Sequence, residues 1–137
     1  MEYDSILKSN IYTIEKDGMG HTIINGVGIE ALKISRGVCE PLLVHVVNEV
    51  KMALLISQKH GKSTSNVHLY LKGCSLKSFP LSLYKKIIKT LSDTFENTLN
   101  YCYIYDLSSL AIATWNCLKF FLDPVTRRKI RIIRTYK

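Results

Sequence analysis

Four histidines, four cysteines and a run of cations near the C-terminus are the side chains in this sequence with the most chemistry to offer. His21, His45, His60 and His68 are dispersed, and no Asp or Glu is spaced beside them as a general acid–base pair requires. Cys39, Cys74, Cys102 and Cys117 lack the close Cys or Cys/His spacing of zinc sites. They lie mostly among apolar residues and read as free, buried thiols. Gly18-Met19-Gly20 and Gly26-Val27-Gly28 lack the strand-to-helix setting of a phosphate loop, so they read as turn and bulge glycines. With no nucleophile elbow and no metal-binding His pair either, the sequence predicts a protein that is not an enzyme and carries no cofactor or metal.

The densest charge feature is Arg127, Arg128, Lys129, Arg131, Arg134 and Lys137, directly after Phe120, Phe121 and Leu122. Apolar groups beside cations suit a membrane surface, because the former enter the acyl boundary while the latter meet lipid phosphates. The plain alternative is a solvated, solubilising face. Nineteen Lys and Arg against eleven Asp and Glu give a formal charge of +8, which favours an anionic partner without choosing among lipid, membrane and nucleic acid.

The elements that must position these groups follow from pattern. Asn10 to Asp17 reads as a strand, Asp17-Gly18-Met19-Gly20 as a turn, and His21 toward Ile34 as a returning strand made irregular by Gly26 and Gly28. Pro41 fits the first turn of a helix. Leu42, Leu43, Val46, Val47, Val50 and Leu54 recur at helical spacing until His60-Gly61. Val67, Leu69 and Leu71 alternate with His68 and Tyr70 as a buried strand does. Pro80 opens a second helix whose stripe is Tyr84, Ile87, Ile88, Leu91 and Phe95.

Tyr101 to Tyr105 reads as a strand feeding a third helix, Ser109 to about Phe121, that is apolar around most of its circumference. After Asp123-Pro124, a basic turn from Val125 to Lys129 leads into a last strand, Ile130 to Arg134. Alternating strands and helices predict a single α/β domain over residues 1–137, with a mixed, mostly parallel sheet flanked by helices and an antiparallel hairpin at one edge. A chain of 137 residues with 47% hydrophobic and 22% charged residues can bury a real core in one domain. No apolar run reaches the length of a spanning helix, and the first residues lack signal-peptide character, so a cytoplasmic location is expected.

Three segments in order, Val67-His68-Leu69-Tyr70-Leu71-Lys72-Gly73, Tyr103-Ile104-Tyr105-Asp106 and Phe121-Leu122-Asp123-Pro124-Val125-Thr126-Arg127-Arg128-Lys129-Ile130, resemble the CRAL-TRIO domain. That is the domain of phosphatidylinositol-transfer and retinaldehyde- or tocopherol-binding proteins. The similarity is clearest from about Asn66 to Ile133, and the chain resembles a compact, divergent member without the helical segment that usually precedes the domain.

The resemblance implies a parallel-rich sheet flooring an apolar pocket of several hundred Å³, gated by the helix from Ser109 to Phe121. Lipid would meet Val67, Leu69, Cys102, Ile104, Ala111, Trp115 and Leu118. Its head group would meet Thr126, Lys129 and Ser65, the hydroxyl and ammonium forming a phosphate grip. Phe120, Phe121, Arg127 and Arg128 would touch the membrane. The implied function is non-enzymatic binding, and transfer or sensing, of a phospholipid, with phosphatidylinositol or a phosphoinositide favoured.

The partners implied are a phospholipid ligand and an anionic membrane surface, with peripheral membrane association. The pocket is expected to be reduced, open on one side, or completed by a second copy of the chain. The family's acidic residue ahead of the strand near Tyr101 is displaced, with Asn97 at its position and Glu96 beside it, and its Asn-Ala-Pro is Asp106-Leu107-Ser108 here. Two other functions fit the same residues. One is an interaction module whose interior is packed by Tyr101, Tyr103, Tyr105 and Trp115. The other is nucleic-acid binding, which draws only on charge and has no recognition motif behind it.

Overall fold

Asp17 and Gly18 both adopt left-handed backbone, with φ of 55° and 78°. Positive φ at two consecutive residues is the requirement of a type I′ hairpin, and Asp-Gly is a pair that meets it without strain. The turn therefore joins β1 (Ile11–Lys16) to β2 (Met19–Asn25) with Lys16 opposite Met19. In a computed structural model of the chain, residues 2–26, 28, 39–71, 81–95, 97–106, 112, 116, 119 and 123–134 are described.

Gly20, which the sequence assigns to the turn, is instead inside β2 and fully covered. A Cβ there would run into the Ala53 carbonyl, so only glycine lets the strand lie this close to the helix above it. Its amide donates to Ser57 Oγ at 2.9 Å. The strand also ends at Asn25 rather than running toward Ile34. Gly26 and Gly28 are helical positions just beyond it, not strand irregularities, and 29–38 lie outside the described residues.

The remaining elements are α1 (Glu2–Asn10), α2 (Cys39–Lys59), β3 (Ser65–Tyr70), α3 (Leu81–Thr94), β4 (Leu99–Tyr105), α4 (Pro124–Arg128) and β5 (Ile130–Ile133). The five strands form one sheet in the order β1-β2-β3-β4-β5. β1 is antiparallel to β2, and β2 through β5 are parallel. When parallel strands are added in one direction by crossovers of one hand, their helices fall on one face. α2 and α3 do share a face, α2 lying across β1, β2 and β3 with α3 beside it.

α2 is long because its buried stripe is unbroken: Leu42, Leu43, Val46, Val50, Ala53, Leu54 and Ser57 are all buried. It ends where Gly61, at φ 76°, turns the chain. The Gly61 amide reaches the Gln58 carbonyl at 3.0 Å and the Lys62 amide the Ser57 carbonyl at 2.9 Å, the paired bonds of a Schellman stop. The main core is Leu7, Ile11, Ile24, Leu42, Leu43, Val46, Val50, Val67 and Ile87. Thr13 Oγ1 donates to the Glu49 carbonyl at 2.8 Å, and His45 Nε2 donates to the Ile11 carbonyl at 2.9 Å. Both bonds fix α2 over the hairpin.

α1 is a helix that the sequence pattern did not announce. The segment read as a basic turn after Pro124 is a short helix, capped by Asp123 and followed by β5. The third helix read from Ser109 to Phe121 lies almost wholly outside the described residues. Ile112 and Asn116 are helical, and Ile112 packs against Ile104.

Candidate functional site

Alternation along the parallel strands puts Ser65, Val67 and Leu69 of β3 on the face that carries the helices, with Cys102 and Ile104 beside them on β4. Register pairs Val67 with Cys102, Leu69 with Ile104, and Cys102 with Ile130 of β5, so these side chains make a continuous floor. Val50 of α2 with Ile87 and Leu91 of α3 close one side. Asp123, Val125, Thr126 and Lys129, in and around α4, close the other. Between them is a cavity of about 510 Å³.

The floor is apolar. Cys102 is a free thiol, and burial pushes it up to about 12, so it stays protonated and unreactive near neutral pH. The other three cysteine side chains are outside what is described. Polar lining residues fall in two groups, Ser65, Ser92, Asp93, Asn97 and Thr98 around the end of α3 and the starts of β3 and β4, and Asp123, Thr126 and Lys129 around α4. Asp123 is the N-cap of α4. It accepts the Thr126 amide at 3.0 Å through Oδ2 and the Thr126 hydroxyl at 2.6 Å through Oδ1. The hydroxyl bond and then the amide bond hold the Asp123 carboxyl below its ordinary range. Lys129 follows α4 directly and belongs to the same lining.

The residues named from sequence are thus brought together in large part. Ser65, Val67, Leu69, Cys102, Ile104, Thr126 and Lys129 surround one cavity. Arg127 and Arg128 lie in the last turn of α4 and are not in its lining. Arg127 is half-buried, and Arg128 is exposed with its Nε donating to the Pro124 carbonyl at 3.2 Å. Ala111, Trp115, Leu118, Phe120 and Phe121 lie outside the described residues.

Tyr101, Tyr103 and Tyr105 do not pack the interior. They alternate with Cys102 and Ile104 and stand on the opposite face of the sheet, in a row of rings with His21, His68 and Tyr70. His21 Nδ1 and His68 Nε2 are hydrogen-bonded at 2.9 Å, and His68 Nδ1 and the Tyr105 hydroxyl at 2.8 Å. Tyr70 and Tyr105 stack at 4.4 Å between centroids, and Arg131 lies over Tyr101 at 5.0 Å. Burial first, then His21 and Lys16, lowers His68 to about 4, so it is neutral at pH 7. Burial, helped by Tyr70, raises Tyr105 to about 12. This cluster was invisible in the sequence because only the pairing of β2 with β3 brings residues 21 and 68 together. Among the described residues no group of three His, Cys, Asp or Glu could hold a metal, and no helix is long and apolar enough to cross a membrane.

Comparison with known proteins covers both sequence and fold. The CRAL/TRIO domain model matches residues 41–137, which includes all but the first two residues of α2, every parallel strand after β2 and the whole rim around α4. The solved structure titled "Crystal structure of Sfh5" has a TM-score of 0.69 at 15% identity, over 96% of this chain and 48% of that one. The chain therefore spans about half the length of that relative. A family match over most of the chain, on a five-stranded sheet of the same fold, identifies the chain as a member of the CRAL/TRIO domain family.

Proposed function

We propose that this chain binds a phospholipid, with acyl chain in the cavity and head group toward Thr126, Lys129 and Ser65, and that it transfers or senses that lipid without catalysing a reaction on it. The observation that carries the reading is the cavity. About 510 Å³ over a floor of Val67, Leu69, Cys102 and Ile104 suits an apolar ligand, and Lys129, the one cation among the described lining residues beside the carboxylates of Asp93 and Asp123, would offer an ammonium to a phosphate. Membership in the CRAL/TRIO family supports the same ligand class.

Within this reading phosphatidylinositol or a phosphoinositide is the favoured ligand. Lys129 is the charged contact, while the Thr126 hydroxyl, already donating to Asp123, can only accept from an inositol hydroxyl unless that bond opens. Arg127 and Arg128, with Phe120 and Phe121, would meet an anionic membrane during exchange, and the protein would work at the cytoplasmic surface of a membrane. The test is native mass spectrometry after incubation with mixed phospholipid vesicles. One inositol lipid per chain is expected, and Lys129→Ala should weaken its retention by about tenfold or more, as loss of a charge-assisted bond requires. Uptake indifferent to head group, unchanged in Lys129→Ala, would remove the inositol assignment.

A further inference from the structure

An edge strand leaves one row of amides and carbonyls without a partner strand. β1 is such an edge, paired with β2 alone. The type I′ turn fixes which of its groups look outward. Lys16 and Met19 flank the loop and exchange hydrogen bonds. Ile14 and Tyr12 therefore also bond to β2, while the amides and carbonyls of Ile11, Thr13 and Glu15 point away from the sheet. The Ile11 carbonyl is already held by His45 Nε2 at 2.9 Å. The outward amides and carbonyls of Thr13 and Glu15 have no hydrogen-bond partner among the described residues. The usual guards of an edge are missing too: β1 has no proline, and its register with β2 runs from Ile11 to Lys16 without a bulge. Beside these free groups, Tyr12 and Ile14 are 39% and 41% exposed on the face of the sheet away from α2.

We infer that β1 is a docking edge for a second copy of this chain, whose own β1 adds antiparallel to it and joins the two sheets into one. The registers that keep like faces together around a two-fold axis differ in what they ask of the strand. Setting Thr13 opposite itself calls on the Ile11 carbonyl, which His45 occupies. Setting Glu15 opposite itself brings like charges together on one face, which is destabilising. Setting Ile14 opposite itself pairs Thr13 with the partner's Glu15, through the very amides and carbonyls that β2 leaves free. On the outer face the two Ile14 side chains then meet, and the Lys16 ammonium reaches the partner's Tyr12 ring. This self-complementarity selects a second copy over a foreign strand. The axis stands perpendicular to the sheet, so both cavities lie on the same side of the joined sheet. β1 is not in the cavity lining, and the inference goes beyond the lipid reading without depending on it. The pairing is small beside the roughly 1,200 Å² of a stable complex, so monomer and dimer exchange with concentration.

The experiment is sedimentation velocity over a roughly thousandfold range of protein concentration. Wild-type chain is expected to pass from monomer to dimer. Ile14→Lys sets like charges face to face at the axis and should cut the dimer fraction by about tenfold or more. Its melting temperature in dilute solution should be unchanged, because the side chain is exposed. Ile14→Cys reads the register directly. At the axis the paired Cα atoms stand about 4.5 Å apart, within reach of a disulfide, so this variant should cross-link with oxidised glutathione. The two copies of Tyr12→Cys would stand about 13 Å apart along the strands and should cross-link no more than wild type. Wild-type chain that stays monomeric across the range, a dimer that Ile14→Lys leaves intact, or equal cross-linking of the two cysteine variants would overturn the inference. Should Ile14→Lys fail to fold, the cysteine variants decide alone. Lipid bound in the cavity should be the same in Ile14→Lys as in wild type, so failure of the lipid reading reads out separately.

Discussion

The Asp123 carboxylate holds Thr126 twice, through the amide at 3.0 Å and the hydroxyl at 2.6 Å. This one relationship starts α4, aims the residues after it at the cavity, and engages the hydroxyl that the head-group reading calls upon. Removing the carboxylate with Asp123→Ala should cost about 1 kcal/mol of stability, as loss of an N-cap does, measured by urea denaturation. The Asp123 carboxyl sits below its ordinary value when folded. Its stabilising contribution is therefore complete above the ordinary carboxylate range and is lost as the pH falls from there through the lower, folded value. The alanine variant should lack that acid-side loss.

His68 gives a second pH dependence, in a different window. Folding lowers it from 6.5 to about 4, so the unfolded chain binds the extra proton between those values. Stability should be full above pH 6.5, fall as the pH drops toward 4, and change no further from this group below that. The ring is half-exposed and screened, which discounts the effect to about 1–2 kcal/mol. Thermal melts across pH 4 to 7 should show the slope in wild type and a flatter line in His68→Phe; equal slopes would contradict the assignment to His68.

Gly20→Ala tests the crossing of β2 under α2. The added methyl would meet the Ala53 carbonyl, backbone that cannot swing aside, so a loss of about 2 kcal/mol or more is expected in chemical denaturation. Gly61→Ala, in open space but at positive φ, should lose less, about 1 kcal/mol, from backbone strain alone.

Local rules made much of this fold readable. Alternation put Val67 with Leu69 and Cys102 with Ile104 on common faces of β3 and β4, prolines marked the starts of α2 and α3, and Asp17-Gly18 announced the hairpin. What could not be read depends on tertiary approach. Gly20 looked like a turn residue because its reason for being glycine, the Ala53 carbonyl, lies on another element. The pairing of His21 with His68 needs the β2–β3 register, and the outward placement of Tyr101, Tyr103 and Tyr105 needs to be known relative to which face α2 covers. α1 escaped because it is short and Leu7 is its one buried apolar residue among those described, too little to make a helical period. Asn97 and Asp106, both in left-handed turns at φ 64° and 59°, flank β4 where Asn and Asp tolerate a conformation most residues avoid.

The central claim is that the cavity over Cys102 holds a phospholipid. The most direct measurement is organic-solvent extraction of the purified protein with identification of the lipid by mass spectrometry, run beside Cys102→Trp, which fills the cavity from its floor. The account predicts close to one phospholipid per chain in wild type and little or none in Cys102→Trp with the fold retained. Wild-type protein that is reproducibly empty before and after incubation with mixed vesicles, or a Cys102→Trp variant that carries as much lipid as wild type, would contradict it.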